Sequence, residues 1–171
     1  MAQGAGNSTE GHGAGAVFRG VTHLALDAKG RLAIPARHRD ALLHRPADAH
    51  SATPGALILT ADPSRCLLLY PRATWEPIQS RLMALSSFSA EIRGLQRLIV
   101  GHADDVDMDG SGRILVPPAL RQYAALDHHV VLVGQGNKFE LWDEMKWQEQ
   151  TTRAITFPAG SLPPELDGFS L

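Results

Sequence analysis

The chain contains one short sequence twice, with the second copy 82 positions after the first. Residues 27–39 read DAKGRLAIPARHR, and residues 109–121 read DGSGRILVPPALR. The identical positions are Asp27, Gly30, Arg31, Pro35 and Arg39, which recur as Asp109, Gly112, Arg113, Pro117 and Arg121. Because a chain built from two copies of one unit can form a pseudo-twofold module by itself, we expect two halves of similar structure.

Each copy has the residue pattern of a strand, a turn, a strand and a helix. Thr22–Leu26 and Arg31–Ile34 alternate apolar with polar residues on either side of Asp27–Gly30, which predicts a hairpin. Pro35 suits the first turn of a helix over Ala36–Leu43. The second copy repeats this order in Asp105–Met108, Asp109–Gly112, Arg113–Val116 and Pro118–Ala125.

A second hairpin is predicted after each copy. Leu57–Thr60 pairs with Cys66–Tyr70 in the first, and Val130–Val133 pairs with Phe139–Trp142 in the second. Between the copies, helical spacing predicts two helices that join the halves and pack on the core. They cover Thr74–Leu85 and Ala90–Val100, and Ser89 is the expected N-cap of the second helix.

Composition indicates a globular protein of the cytoplasm. Cys66 is the only cysteine, so no internal disulfide can form, and no apolar run is long enough to cross a bilayer. Residues 1–16 and the end of the chain are predicted tails, and the Pro-containing stretch His44–Gly55 is a predicted loop. We also expect Val17 to be the natural start of the protein.

Charge is unevenly distributed along the chain, although the formal net charge is only −2. Six basic and two acidic residues lie between Arg19 and Arg45, whereas acidic residues predominate after Lys138. A cationic end on a neutral body can bind phosphate, because the local field governs the contact. A solvated basic surface without a partner is the alternative.

The repeated Asp-x-x-x-Arg motif can perform one of two tasks. A guanidinium has five donors in a planar fork, so it can bind phosphate or guanine bidentately while the carboxylate holds its orientation. A two-stranded ribbon also fits a major groove. The alternative is that each Asp–Arg pair only stabilises the fold.

Several strings make the chain resemble the MraZ family, over about Val17 to Trp147. These are Phe18-Arg19-Gly20, the residues from Leu26 to Leu32, Cys66–Pro71, Gly101-His102-Ala103, Asp109–Pro118, and the specific string from Gly134 to Trp142. The resemblance implies an α+β, mainly β fold. It would be a pseudo-twofold swapped-hairpin β-barrel made of two AbrB-like halves with flanking helices.

This resemblance implies a division of the chain into five parts. They are a flexible tail (1–16), a first AbrB-like half (17–75), connecting helices (76–101), a second AbrB-like half (102–148) and a C-terminal tail (149–171). It also implies a regulator, acting as a repressor, of the bacterial cell-division and cell-wall gene cluster. Such a protein binds direct repeats in promoter DNA as a ring-shaped homo-oligomer at the nucleoid.

On this resemblance the DNA-binding residues are Arg31, Lys29, Arg19 and Arg113. Asp27, Gly30, Asp109 and Gly112 shape the turns. Lys29 has Ser111 as its counterpart, and acidic residues precede the second turn, so we expect the first turn to carry most of the DNA contact. Arg37 and Arg39 on the short helix are expected to pack at the rim of the core or to form ion pairs.

Two other classes of function are a scaffold and an enzyme. A ring-forming scaffold without a nucleic-acid role would suit the acidic second half. An enzyme is not expected: we predict no catalytic residue, metal ion, cofactor, small-molecule substrate or membrane partner. Cys66 lies in an apolar run where a buried, inert thiol is expected, and the histidines lack metal-ligand spacing.

Overall fold

The computed structural model describes residues 17–43, 56–86 and 88–155, so the predicted tail 1–16, the loop 44–55 and the residues after 155 lie outside it. The strands are β1 (Phe18–Ala25), β2 (Arg31–Ala33), β3 (Ala56–Ala61), β4 (Leu67–Pro71), β5 (Asp104–Asp107), β6 (Arg113–Leu115), β7 (His129–Gly136) and β8 (Phe139–Asp143). The α-helices are α1 (Ala36–Leu43), α2 (Arg72–Ala84), α3 (Ala90–Leu95), α4 (Pro118–Ala124) and α5 (Glu144–Ile155). A π-helical segment, Gln96–Val100, continues α3.

The strands form a six-stranded antiparallel sheet and a separate two-stranded ribbon. The order in the sheet is β1-β7-β8-β4-β3-β5, and β2 pairs with β6 in the ribbon. The equivalent strands of the two copies are β1 and β5, β2 and β6, β3 and β7, and β4 and β8. When each strand is replaced by its equivalent, the order of the sheet becomes β5-β3-β4-β8-β7-β1, which is the same order read from the other edge. The fold is therefore pseudo-twofold, as the repeat predicts.

The prediction that the first two strands of each copy pair with each other as a hairpin is wrong. These strands pair with strands of the other copy instead. β1 pairs with β7 along its whole length, and β2 pairs with β6. A single bridge, Leu26↔Leu32, joins the arms in the first copy, and Met108↔Ile114 does so in the second. A three-residue strand gains more by burying its apolar residue between the halves than in an isolated hairpin, which is marginal in water.

The second predicted hairpin of each copy is confirmed. β3 pairs with β4 and β7 pairs with β8. The eight strands and five α-helices of the described residues agree with the predicted α+β class, and their sheet is antiparallel. A closed barrel, however, is not confirmed, because the described strands form an open sheet and a ribbon.

Two apolar layers cover the two faces of the sheet. On one face the ribbon and helices α1 and α4 close the main core, in which Leu32, Ile34, Ile114 and Val116 are fully buried. On the other face lies a second cluster that includes Trp75 of α2 and Trp142 of β8. The ribbon is thus held from below by its inward side chains, which leaves its outer face free to carry a site.

The connecting helices pack less than predicted. Ser89 caps α3 as expected, with its Oγ accepting from the Ile92 N–H at 3.3 Å. The predicted helix Ala90–Val100 packs on the core only in its second half, where Leu98 and Ile99 contact the two clusters. Its first half, α3, has no buried residue, and Leu95 is 41% exposed. Helix α5 runs to Ile155, past the boundary expected at residue 148. None of the helices in the described part of the chain is long and apolar enough to span a membrane.

Candidate nucleic-acid interface

The first turn is built around the Asp27 carboxylate. Its Oδ1 accepts from the backbone N–H groups of Lys29 and Arg31, each at 2.9 Å. Its Oδ2 accepts from Arg31 Nε at 2.7 Å. The backbone closes the turn, since Gly30 N donates to Asp27 O at 2.8 Å and Asp27 N to Arg31 O at 3.0 Å. One carboxylate therefore fixes both the turn and the arginine.

The second turn repeats this geometry. Asp109 Oδ1 accepts from the N–H groups of Ser111 and Arg113 at 2.9 Å, and Oδ2 accepts from Arg113 Nε at 2.9 Å. Gly112 N donates to Asp109 O at 2.8 Å. The placement of Asp27, Gly30, Asp109 and Gly112 in the turns agrees with their predicted structural role.

The two turns are locked to each other through the glycine carbonyls. Ile34 N donates to Gly112 O at 2.9 Å, and Val116 N donates to Gly30 O at 3.0 Å. Each turn is thus bonded to the end of the other copy's ribbon strand. A displacement of one turn would break a hydrogen bond of the other, so the two Asp–Arg pairs form one unit.

Arg39 and Arg121 support the turn of the opposite copy. Gly30 and Gly112 have φ of +78° and +76°, in the left-handed region that favours glycine. A Cβ atom at Gly30 would lie 2.6 Å from the Arg121 guanidinium carbon, and one at Gly112 would overlap the Arg39 guanidinium. Arg39 Nε also donates to Ile34 O at 2.8 Å. Arg39 and Arg121 are equivalent positions of the sequence repeat, and this recurrence was the sequence signal for a shared role. The repeat does not predict that each arginine contacts the turn of the other copy.

The ribbon brings Arg31 and Arg113 to one surface. In the register, Arg31 lies opposite Leu115 and Ala33 lies opposite Arg113. Side chains alternate along a strand, and the intervening Leu32 and Ile114 are buried, so these four residues share the outer face. We call Arg31, Ala33, Arg113 and Leu115 the ribbon surface.

The two guanidinium groups of the ribbon surface are oriented and accessible. The side chains of Arg31 and Arg113 are 31% and 35% exposed. Within the described residues each uses only Nε in a hydrogen bond, which leaves the Nη donors for a ligand. The Arg31 backbone N–H is the main cause that lowers the pKa of Asp27 to about 2, and the pKa of Asp109 is lowered by the same contacts with Arg113. The anchoring carboxylates are therefore ionised at neutral pH.

The surroundings of the two turns differ in charge. Exposed Lys29 adds a cation to the first turn, whereas the second has exposed Ser111 in its place. The strand that leads into the second turn carries exposed Asp104, Asp105 and Asp107. Phosphate would be attracted to the first turn and repelled near the second.

Arg19 and Arg37 lie apart from the ribbon surface. Arg19 is opposite Gln135 on edge strand β1, and alternation places it on the other face of the sheet from buried Phe18. Arg37 donates from Nη2 to Thr22 Oγ1 at 2.8 Å. The structure thus groups Arg31, Arg113 and Lys29 but leaves Arg19 outside; a DNA contact of Arg19 stays a prediction.

The other reactive side chains are tied into the fold. Cys66 is fully buried, which raises the pKa of its thiol above the usual range, as expected of an inert cysteine. His38 packs against Phe139, with ring centroids 4.8 Å apart, and burial lowers its pKa. His128 bonds through Nδ1 to Leu26 O at 2.8 Å, beside the first turn.

Known proteins share this sequence over most of its length. Residues 17–98 and 99–161 each match the profile of the family described as "MraZ protein, putative antitoxin-like". The transcriptional regulator MraZ of Nitrosomonas europaea is 55% identical over 155 residues, which cover 91% of this chain and all of that protein. The proteins of the same name from Nitrosospira multiformis and Methylobacillus flagellatus are 57% and 54% identical, with the same coverage. With both halves matched and more than half of the aligned residues identical, this chain belongs to the MraZ family.

Proposed function

We propose that this protein is a DNA-binding transcription regulator that contacts DNA through its ribbon surface. The observation that carries the proposal is the pair Arg31 and Arg113, each held by a carboxylate and presented on one outer face. The relatives named as transcriptional regulators support it. No step of the proposal needs a bound metal or cofactor.

The ribbon suits a major groove in shape and chemistry. A two-stranded ribbon is narrow enough for that groove, and arginine is the side chain that most often reads guanine there. Since Asp27 accepts from Nε of Arg31, the Nη groups remain available as a pair that matches phosphate oxygens or guanine O6 and N7. The orientation is set before DNA binds, so less rotamer freedom is lost on binding.

The first turn is proposed to make most of the contact. It carries Lys29 and Arg31, whereas the second turn carries Arg113 and Ser111 next to an acidic strand. Arg113 would then act at the edge of the contact or towards a neighbouring subunit. Arg19, on the other face of the sheet, would reach DNA only through a different part of the assembly.

The finer proposal concerns the target and the assembly. Few cations per chain give weak binding, so linked copies would supply affinity by raising the effective concentration of the second contact. We propose that a ring-shaped homo-oligomer binds direct repeats upstream of the cell-division and cell-wall gene cluster, including its own promoter, and represses it. Association with the nucleoid would follow.

The test is DNase footprinting and gel shift on the DNA upstream of the protein's own gene. Arg31→Ala is expected to weaken binding by about 1–3 kcal/mol for each engaged subunit, because a bidentate contact is lost. Arg113→Ala is expected to have a smaller effect. Arg81→Ala is the matched control, since it removes an exposed arginine from α2, on the other side of the sheet.

Two results would reject the proposal. Equal affinities of wild type, Arg31→Ala and Arg81→Ala would exclude the ribbon surface as the contact. Intact oligomers that ignore the promoter DNA at low salt would favour the scaffold function, since counterion release makes such binding strongest there.

A further inference from the structure

An apolar groove runs beside helix α2, on the face of the sheet away from the ribbon surface. Its volume is about 320 Å³, and its lining includes Leu68, Tyr70, Trp75, Ile78, Leu82 and Arg81. Leu85 also lines it, and four apolar side chains on α2, α3 and the residues between them are exposed: Met83 by 54%, Leu85 by 48%, Phe88 by 97% and Leu95 by 41%. We call these four residues and the groove the helical apolar surface. Apolar side chains exposed together mark a binding surface.

The charge around this surface is positive. Four arginines lie on α2, α3 and the π-helical segment, against two acids; they are Arg72, Arg81, Arg93 and Arg97, with Glu76 and Glu91. The carboxylate of Glu91 accepts from Ser89 Oγ at 2.5 Å and so serves the cap of α3. Arg81 and Arg97 are exposed. The occupant that fits is apolar with carboxylates between its apolar residues.

Residues 156–171 of this chain have that composition. They contain two acids, Glu165 and Asp167, and no lysine, arginine or histidine. Their large apolar residues are Phe157, Leu162, Leu166, Phe169 and Leu171. Helix α5 ends at Ile155, and a segment of this length spans up to about 55 Å when extended, so it can reach any part of its own chain. Tethering also raises its local concentration to the order of millimolar.

We propose that residues 156–171 bind to the helical apolar surface of their own chain. Their leucine and phenylalanine side chains cover the groove and the exposed residues around it, and Glu165 and Asp167 pair with Arg81 and Arg97. The segment thereby keeps an apolar face from associating with other molecules. Because the ribbon surface lies across the sheet, this contact is independent of DNA binding.

Disulfide trapping in the full chain tests the proposal. Leu85→Cys and Phe169→Cys are introduced together, and the single native cysteine, buried Cys66, does not compete. Mild oxidation is expected to give an intramolecular disulfide, seen as a monomer of altered mobility and mapped by mass spectrometry. Glu149→Cys with Phe169→Cys is the control: position 149 is nearer in sequence and exposed on α5, and we expect several-fold slower trapping there.

The charge contribution is tested in the same variant. Reversal by Arg81→Glu and Arg97→Glu is expected to slow trapping at least about threefold, as two exposed ion pairs become repulsive. Adding Glu165→Arg and Asp167→Arg is expected to restore the rate. These four positions lie outside the ribbon surface, so DNA affinity is expected to be unchanged.

Three outcomes would overturn the proposal. Trapping no faster than in the control would show that the segment does not occupy the surface. Disulfides formed only between chains would assign the surface to a second copy. A rate insensitive to the charge reversals would remove the pairing with Arg81 and Arg97.

Discussion

The two turns of the molecule have the same geometry and different charge. In both, the aspartate accepts from two backbone N–H groups and from the Nε of an arginine four residues later. Lys29 and Ser111 take the same place in the two turns, and only the second turn follows an acidic strand. The comparison teaches that the turn keeps its geometry with either lysine or serine at this position, so the position is available for function.

The same divergence occurs at the start of the two equivalent helices α2 and α5. Arg72 opens α2 and pairs with Asp105 of β5, whereas Glu144 opens α5 and pairs with His23 of β1 at 3.0 Å. The second pair lies at the equivalent place, but here the helix supplies the acidic residue and the strand supplies the basic one. Pseudo-symmetry therefore preserves which elements touch, while the chemistry of the contact is free to change.

The largest expected effect tests whether the halves are equally important to the core. Leu32→Ala and Ile114→Ala each remove a fully buried residue of the ribbon and should each cost about 2–5 kcal/mol of unfolding free energy. Leu115→Ala, at a residue 52% exposed, should change it by less than about 0.5 kcal/mol. Urea denaturation measures all three, and a strong asymmetry between Leu32 and Ile114 would contradict a shared core.

Next in size is the effect of the turn glycines. Gly30→Ala should destabilise by about 1–3 kcal/mol, because alanine is strained at positive φ and its Cβ would meet Arg121. Gly112→Ala should behave alike. Gly110→Ala is the control, since a Cβ there has no neighbouring atom within 4 Å. Thermal unfolding tests this, and a neutral Gly30→Ala would contradict the positive φ and the close approach of Arg121 described above.

A smaller effect should separate the turns by charge. If Lys29 neutralises a phosphate, Lys29→Ser should reduce the slope of log affinity against log salt concentration by about 0.9, the value for one phosphate contact. Ser111→Lys, which gives the second turn the first turn's charge, should raise the slope only if that turn also approaches DNA. Gel shifts over a salt series measure both. An unchanged slope for Lys29→Ser would remove Lys29 from the contact.

The smallest effect concerns pH. The pKa of Asp27 is lowered from 3.8 to about 2, so the carboxylate stabilises the fold above its unfolded pKa, and this stabilisation is lost as pH falls through about 2. The Asp27–Arg31 pair is therefore intact between pH 5 and 8, and this pair should add no pH dependence to DNA binding there. Carboxyl carbon NMR, assigned with Asp27→Asn, should place the Asp27 midpoint near 2; a midpoint near 4 would contradict the hydrogen bonds described.

The sequence by itself determined the repeat, the turns and most element positions. The Asp27–Arg31 contacts span four residues, so residue types alone predict them, and the Ser89 cap is equally local. Contacts between distant residues are a different case. That β1 pairs with β7, more than a hundred residues away, depends on which partner buries more apolar surface, and a strand's own sequence does not name that partner.

Only the tertiary structure decided how the site is assembled. It joined β2 to β6, which places Arg31 and Arg113 on one surface, and it set Arg39 and Arg121 against the opposite turns. It also placed Arg19 on the other face of the sheet, away from that surface, and left the apolar residues around α2 and α3 exposed. The physical reason is that periodicity tells which residues are apolar on one face, whereas the burial of that face depends on the packing of the whole chain.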